Sequence, residues 1–215
     1  DWVYEEEFAF NKAFEWAPDG SALAFIKFDE SNVKIFHMNM FQGQYPALKE
    51  NATYPSNYSY KYPKAGEANS VVSVHVYDIK DRVTTPMNIG EETDIYIPRI
   101  KWTKDPKRLA IMKLNRFQNR LEILLANARV GNTTVLYREE NKYYIAEENL
   151  DNLVFTEDGK NFIMSSEKNG YSHLYLYTMG GKEVQPITSG NYDVADFYGY
   201  DPVKKLYYYS SHEES

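Results

Sequence analysis

The sequence predicts an all-β protein assembled from β-propeller blades, and three observations lead there. Aromatic residues make up 16% of the 215 residues, with 20 Tyr and 11 Phe, and large flat rings favour the pleated surface of strands. A turn-centred motif recurs along the chain. Between its copies lie strand-like runs, and no amphipathic helix longer than about two turns is legible.

The motif reads "FEWAPDGSALAFIKF" from Phe14, "IKWTKDPKRLAIMKL" from Ile100 and "LVFTEDGKNFIMSS" from Leu153. In each copy a turn aspartate follows an aromatic residue by three positions, and an apolar pair begins four positions later. The series is Trp16/Asp19/Leu23, Trp102/Asp105/Leu109 and Phe155/Asp158/Phe162. A looser copy, "FYGYDPVKKLYYYSS", uses Asp201 and Leu206 and is one residue longer. Asp-Gly and Asp-Pro reverse the chain between strands, so each copy predicts a hairpin. Further strand-like runs at 71–79, 120–128, 133–139 and 173–179 extend the hairpins to four-stranded antiparallel meanders. The copies start 86, 53 and about 43 residues apart, and the last spacing is that of a propeller blade.

In chain order, "DWVYEEEF" (1–8) predicts a short N-terminal helix, with Asp1 as N-cap and acids in the first turns, where the helix dipole favours negative charge. Residues 9–92 read as a blade with an inserted arm, and further blades follow at about 93–146, 147–190 and 191–215. "EENKYYIAEENL" (139–150) predicts a second short helix. About four blades make an arc of a larger propeller, whose outermost blades are expected to leave apolar faces for a neighbour. Two arcs completing a ring would be one such arrangement.

Composition narrows the function. A net charge of −7 argues against nucleic acid as a partner. No apolar run approaches about 18 residues, so no helical membrane span is expected, and the acidic, aromatic opening resembles neither a signal nor a transit peptide. The absence of Cys excludes disulfides and thiolate metal sites. His37, His75, His173 and His212 lack metal-ligand spacing, so neither a metal nor another cofactor is expected. His173 reads as a hydrogen-bonded structural residue, Asp78 and Asp81 as turn residues, and the sequons at Asn51, Asn57 and Asn132 as chance matches.

The run Glu5, Glu6, Glu7 is the one stretch with chemistry in it. Read plainly, it is a solvated helical turn. Read functionally, two neighbouring carboxylates converge on a primary ammonium, whose three donors they can largely satisfy. Adjacent helical positions diverge by roughly 100°, so two of the three can face one cleft. A glycosidase pair is rejected, because its carboxyl groups stand roughly 5–9.5 Å apart across a bond. A non-catalytic propeller presenting a protein-binding face is the alternative to an enzyme domain.

"DWVYEEEF" resembles the glutamate motif of the dipeptidyl peptidase IV branch of the prolyl oligopeptidase family of serine peptidases. The likeness continues through "WAPDGSALAFIKFDE", "YPKAGEANSVVSVHVYDI" (62–79), "NRFQNRLEI" (115–123), "FTEDGKNF" (155–162), "EKNGYSHLYLY" (167–177) and "ITSGNYDV" (187–194), in the family's order. The resemblance implies that Glu6 and Glu7, the second and third glutamates of the motif, hold the free N-terminal amine of a peptide substrate, so that two residues reach the cleavage point, with Pro or Ala favoured second. Glu5 is left as the solvated member. The family's Gly-x-Ser-x-Gly nucleophile elbow does not occur in this sequence. The resemblance therefore places the α/β-hydrolase domain after residue 215 and a substrate-binding Arg of the propeller before Asp1. These residues should carry recognition without bond cleavage. It also implies a periplasmic or an extracellular, cell-surface protein.

The insertion at 31–66 is rich in Tyr and Pro and carries the apolar cluster Ile35, Phe36, Met38, Met40 and Phe41. Such a cluster either packs on its own blade or covers a partner. The resemblance implies the second, an arm into a homodimer interface.

Overall fold

The structure is a computed structural model and describes residues 1–41 and 54–213. Asn51 and the middle of the 31–66 insertion lie outside the described residues. The chain divides into two compact units, Asp1–Asn11 with Phe28–Val71, and Lys12–Lys27 with Val72–Ser215. Its first elements are α1 (Trp2–Phe8), β1 (Phe14–Trp16), β2 (Ala22–Asp29), β3 (Ile35–Met40), β4 (Ser56–Lys61), β5 (Val71–Asp78) and β6 (Val83–Pro86).

The first unit holds α1 and the hairpin β3–β4, paired from Ile35↔Lys61 to Met40↔Ser56. Its root is tied by Tyr62 N–H donating to Lys34 O (3.0 Å), by the Lys61 ammonium on Val33 O (2.7 Å), and by a Lys34–Glu67 ion pair (2.7 Å).

The second unit is a succession of antiparallel sheets. The first has strand order β1-β2-β5-β6. The next is formed by β7 (Ile95–Tyr96), β8 (Ile100–Trp102), β9 (Arg108–Asn115), β10 (Arg120–Asn127) and β11 (Thr133–Glu140). Both β7 and β8 pair with β9, so the inner edge strand is broken in two. Pro98 sits in the break, and a residue without an N–H cannot continue the ladder there. The third sheet runs β12 (Val154–Phe155), β13 (Asn161–Ser166), β14 (His173–Thr178) and β15 (Glu183–Pro186), and the fourth has two described strands, β16 (Val194–Asp201) and β17 (Leu206–Ser211). These are the meanders of propeller blades.

The repeated motif takes the same form in its first three copies, and its aspartate turn recurs in the fourth. Its aromatic and apolar members are cross-strand partners: Trp16↔Leu23, Trp102↔Leu109 and Phe155↔Phe162. Its aspartate closes the turn from its own side chain: Asp19 Oδ1 accepts Ser21 N–H (3.0 Å), Asp105 Oδ1 accepts Lys107 N–H (2.9 Å), Asp158 Oδ1 accepts Lys160 N–H (3.0 Å) and Asp201 Oδ1 accepts Val203 N–H (2.9 Å). Hydroxyl donors add to this: Ser21 holds the Asp19 carboxyl, and Thr156 the Asp158 carboxyl, below the usual carboxylate range.

Burial differs from sheet to sheet. In β2, Ala22, Ala24 and Ile26 are buried, and in β5, Val72, Val74 and Val76, the alternation of a sheet covered on one face. In β9 six consecutive residues, Leu109 to Leu114, are buried, and β13 is buried from Phe162 to Ser166. Those strands have sheets on both faces, so period-two alternation disappears from the middle of the unit. Between the third and fourth sheets, Ile163, Leu174 and Val194 form a core flanked by Phe197, Tyr200 and Tyr207.

Polar bonds join successive segments of this unit near the first strand of each sheet. Trp102 Nε1–H donates to Glu15 O (3.0 Å), and Arg99 grips both carboxylate oxygens of Asp151 (2.6 and 3.0 Å). Trp102→Phe is expected to cost about 1–3 kcal/mol, because it strands a carbonyl and leaves a gap, whereas the same change at half-exposed Trp16 stays within about 0.5 kcal/mol. Thermal unfolding of the two variants checks the difference.

The sequence places a short helix at 139–150. The structure instead keeps residues 139–140 in β11 and forms a 3-10 helix at Glu147–Asn152. Pairing of Leu121 with Glu139 and Arg120 with Glu140 claims the first residues for the sheet, and Asn149 and Leu150 are buried by the later turn.

Candidate functional site

Helix α1 is shaped by its cap and its aromatic face. Asp1 Oδ1 accepts the N–H of Tyr4 (3.2 Å), satisfying one of the amides a helix start leaves unpaired. The helix ends at Ala9, whose N–H bonds Tyr4 O and whose left-handed backbone (φ 46°, ψ 37°) brings the N–H of Phe10 to the same oxygen (3.1 Å). Tyr4 and Phe8, one turn apart, are each 1% exposed. The Tyr4 ring packs at 5.6 Å from Phe8, 5.6 Å from Phe10 and, edge to face, 4.8 Å from Phe28.

That buried face decides where the acids point. With roughly 100° per residue, Glu6 lies opposite the Tyr4/Phe8 face, with Glu5 and Glu7 on its flanks. All three are exposed. Neither Glu5 nor Glu6 has an ion-pair partner among the described residues. Two neighbouring carboxylates, on a helix anchored by aromatic packing, can take an ammonium group from solvent without first breaking a Glu6 ion pair.

The arm residues are on β3 and just after it. Ile35, Met38, Met40 and Phe41 are exposed, Phe41 by 74%. Phe36 differs: it is half-buried, 5.5 Å from the Tyr62 ring and beneath the Lys64 ammonium at 5.1 Å. His173 is buried, with its ring nitrogens bonded to Thr188 Oγ1 (3.0 Å) and Gly190 O (3.1 Å).

Two cavities in the second unit are already engaged in holding the fold. One of about 360 Å³ is lined by Glu15, Trp16, Lys101, Trp102 and Phe155 along the inner strands. Its Lys101 ammonium donates to Leu153 O (2.5 Å), and burial pushes its pKa down against the opposing pull of Glu15 and Asp151. The other, about 550 Å³, is flanked by Asp19 and Asp78, which fasten turns.

Reasoning from sequence missed Trp2 and Tyr62. Their rings meet at 3.9 Å, inclined by 41°. The available signal was a Trp one helical turn before Glu6, but nothing local says what it packs against.

The four-stranded antiparallel meanders define the class, a β-propeller domain. The family model for the dipeptidyl peptidase IV N-terminal region matches residues 1–215, and the chain belongs to that family. Among curated relatives, the inactive dipeptidyl peptidase 10 of Mus musculus is 30% identical over 100% of this chain and 28% of its own length. Dipeptidyl peptidase 4 of Trichophyton equinum is 30% identical over 98% of the chain and 28% of its own length. The crystal structure of Porphyromonas gingivalis dipeptidyl peptidase 4 superposes with a TM-score of 0.90 at 40% identity, covering 100% of this chain and 29% of that one. The chain thus spans a little over a quarter of the length of the relatives it matches.

Proposed function

We propose that this chain is the substrate-recognition part of a dipeptidyl peptidase IV-like serine exopeptidase that releases N-terminal X-Pro and X-Ala dipeptides. Glu6 and Glu7 hold the substrate's free amine, and the remaining blades and the hydrolase domain come from elsewhere in the complete enzyme. One observation carries the reading: α1 spends its aromatic face on packing and leaves Glu6 exposed without an ion-pair partner among the described residues. A carboxylate so placed gains most from an arriving cation, since its neighbour's like charge is then offset. The test is separate replacement of Glu6 and Glu7 by Gln in the full-length enzyme, with cleavage of a Gly-Pro or Ala-Pro chromogenic amide as readout.

The exposed Ile35, Met38, Met40 and Phe41 support an arm that reaches a second copy of the protein. Deleting residues 34–60 is expected to shift the full-length enzyme from dimer to monomer in sedimentation. An unchanged dimer would refute that role.

A second reading, a non-catalytic propeller offering a protein-binding face, is favoured by the 30% identity to a relative named inactive. Absence of any amide cleavage by the full-length protein would select it.

A further inference from the structure

Tyr4 and Phe8 fix one side of α1, but Glu6 lies on the other. Trp2 precedes Glu6 by four positions, so the two share a helix face one turn apart, and a helical side chain leans back toward the N-terminus. Glu6 therefore leans toward the turn that Trp2 occupies. The Trp2 ring rests on Tyr62 at a centroid distance of 3.9 Å. Tyr62 in turn packs against Phe36 (5.5 Å) and edge-on against Tyr60 (5.7 Å), and its N–H is bonded to Lys34 O (3.0 Å). A continuous run of rings thus leads from the glutamate helix into both strands of the arm, all within one compact unit.

We propose that the root of the arm supports the amine-binding face of α1, making Trp2 and Tyr62 positioning residues for Glu6. The proposal rests on the amine-anchor reading and adds what holds the anchor in place. Tyr4 and Phe8 set the depth of the helix. The Trp2–Tyr62 contact sets its rotation about its own axis, and a rotation moves an exposed carboxylate further than any buried atom. A force on the hairpin, from a partner gripping Ile35 or Met38, then reaches Glu6 through Phe36, Tyr60 and Tyr62. Amine affinity is in this way tunable from the arm.

The experiment measures Gly-Pro p-nitroanilide hydrolysis by the full-length enzyme carrying Trp2→Ala, Trp2→Phe, Tyr62→Leu or the Trp2→Ala/Tyr62→Leu pair, beside Glu6→Gln. Misplacement of a binding group by about 1 Å can cost up to about 100-fold, and Trp2→Ala is expected to raise KM about 10-fold, with kcat within about twofold. Trp2→Phe should restore most of the KM. The double variant should be no worse than Trp2→Ala alone, as for two groups acting through one contact. If Glu6→Gln raises KM and Trp2→Ala does not, or if Trp2→Ala lowers kcat at constant KM, the positioning role is overturned while the amine anchor stands. If Glu6→Gln and Glu7→Gln both leave the kinetics unchanged, the anchor itself is wrong. Should Trp2→Ala fail to fold, the KM of Tyr62→Leu decides by the same criteria.

Discussion

Glu6→Gln in the full-length enzyme is expected to lower kcat/KM for a Gly-Pro amide on the order of 100-fold, and Glu7→Gln to do the same. The substitution keeps shape and removes charge. A carboxylamide still accepts a hydrogen bond from an ammonium but contributes no coulombic attraction, and the remaining carboxylate must neutralise the cation alone. The gross attraction at about 4 Å is about 4 kcal/mol at an effective dielectric near 20, and desolvation of both partners takes back part of it. A net loss of about 2–3 kcal/mol per carboxylate follows from paired charges truncated on one side. The side chains are exposed and the helix is held by Tyr4, Phe8 and the Asp1 cap, so folding should be unaffected. Glu5→Gln serves as the internal control, with an expected change below about threefold. Equal effects at all three positions would indicate a diffuse acidic field and would sink the anchor.

The largest stability effects are expected at two glycines in the turns between strands. Gly131 follows β10 with φ +79°, and Gly181 follows β14 with φ +80°. A methyl group on Gly131 would lie 2.1 Å from Pro86 O, and one on Gly181 would lie 2.1 Å from Leu136 O. Each obstructing oxygen is backbone, on the outer strand of the preceding sheet, so it cannot rotate away. Left-handed strain alone costs an Ala about 1–2 kcal/mol, and displacing a packed strand adds about 1–3 kcal/mol. Gly131→Ala and Gly181→Ala should therefore each destabilise by about 3 kcal/mol or more, a fall of about 6–12 °C in Tm. Gly159 and Gly170 also have positive φ, +66° and +95°, but meet nothing within 4 Å. Ala at those sites carries the strain without the collision, and thermal unfolding of the four variants separates the two contributions. Equal losses at all four would show that the sheets are not in contact through these turns.

These glycines also show where reading the sequence stops. The repeat was fully legible, because its information is local: Trp16, Asp19 and Leu23 make one hairpin whose turn bonds lie within a few residues. Strands β5, β10 and β14 were legible for the same reason. "GG" at 180–181 read only as a turn, since the reason for glycine is a carbonyl forty-five residues earlier on a different sheet. The break at Pro98 and the 3-10 turn at Glu147–Asn152 depend likewise on pairing and burial decided by other segments. At the candidate site, the acidic run and its helix could be read from residues 1–8. The support behind it could not, because Trp2 and Tyr62 are sixty residues apart in the chain and meet only through the fold.

The glycine turns have an implication for how such a chain can change in length. The second sheet carries both halves of the joint, the Gly131 turn that closes on Pro86 and the Leu136 carbonyl that receives the Gly181 turn. Duplicating or excising one complete sheet would hand on a matched plug and socket. Cutting within a sheet would separate them and leave an orphaned half. This coupling therefore tolerates growth in whole modules and resists fractional ones.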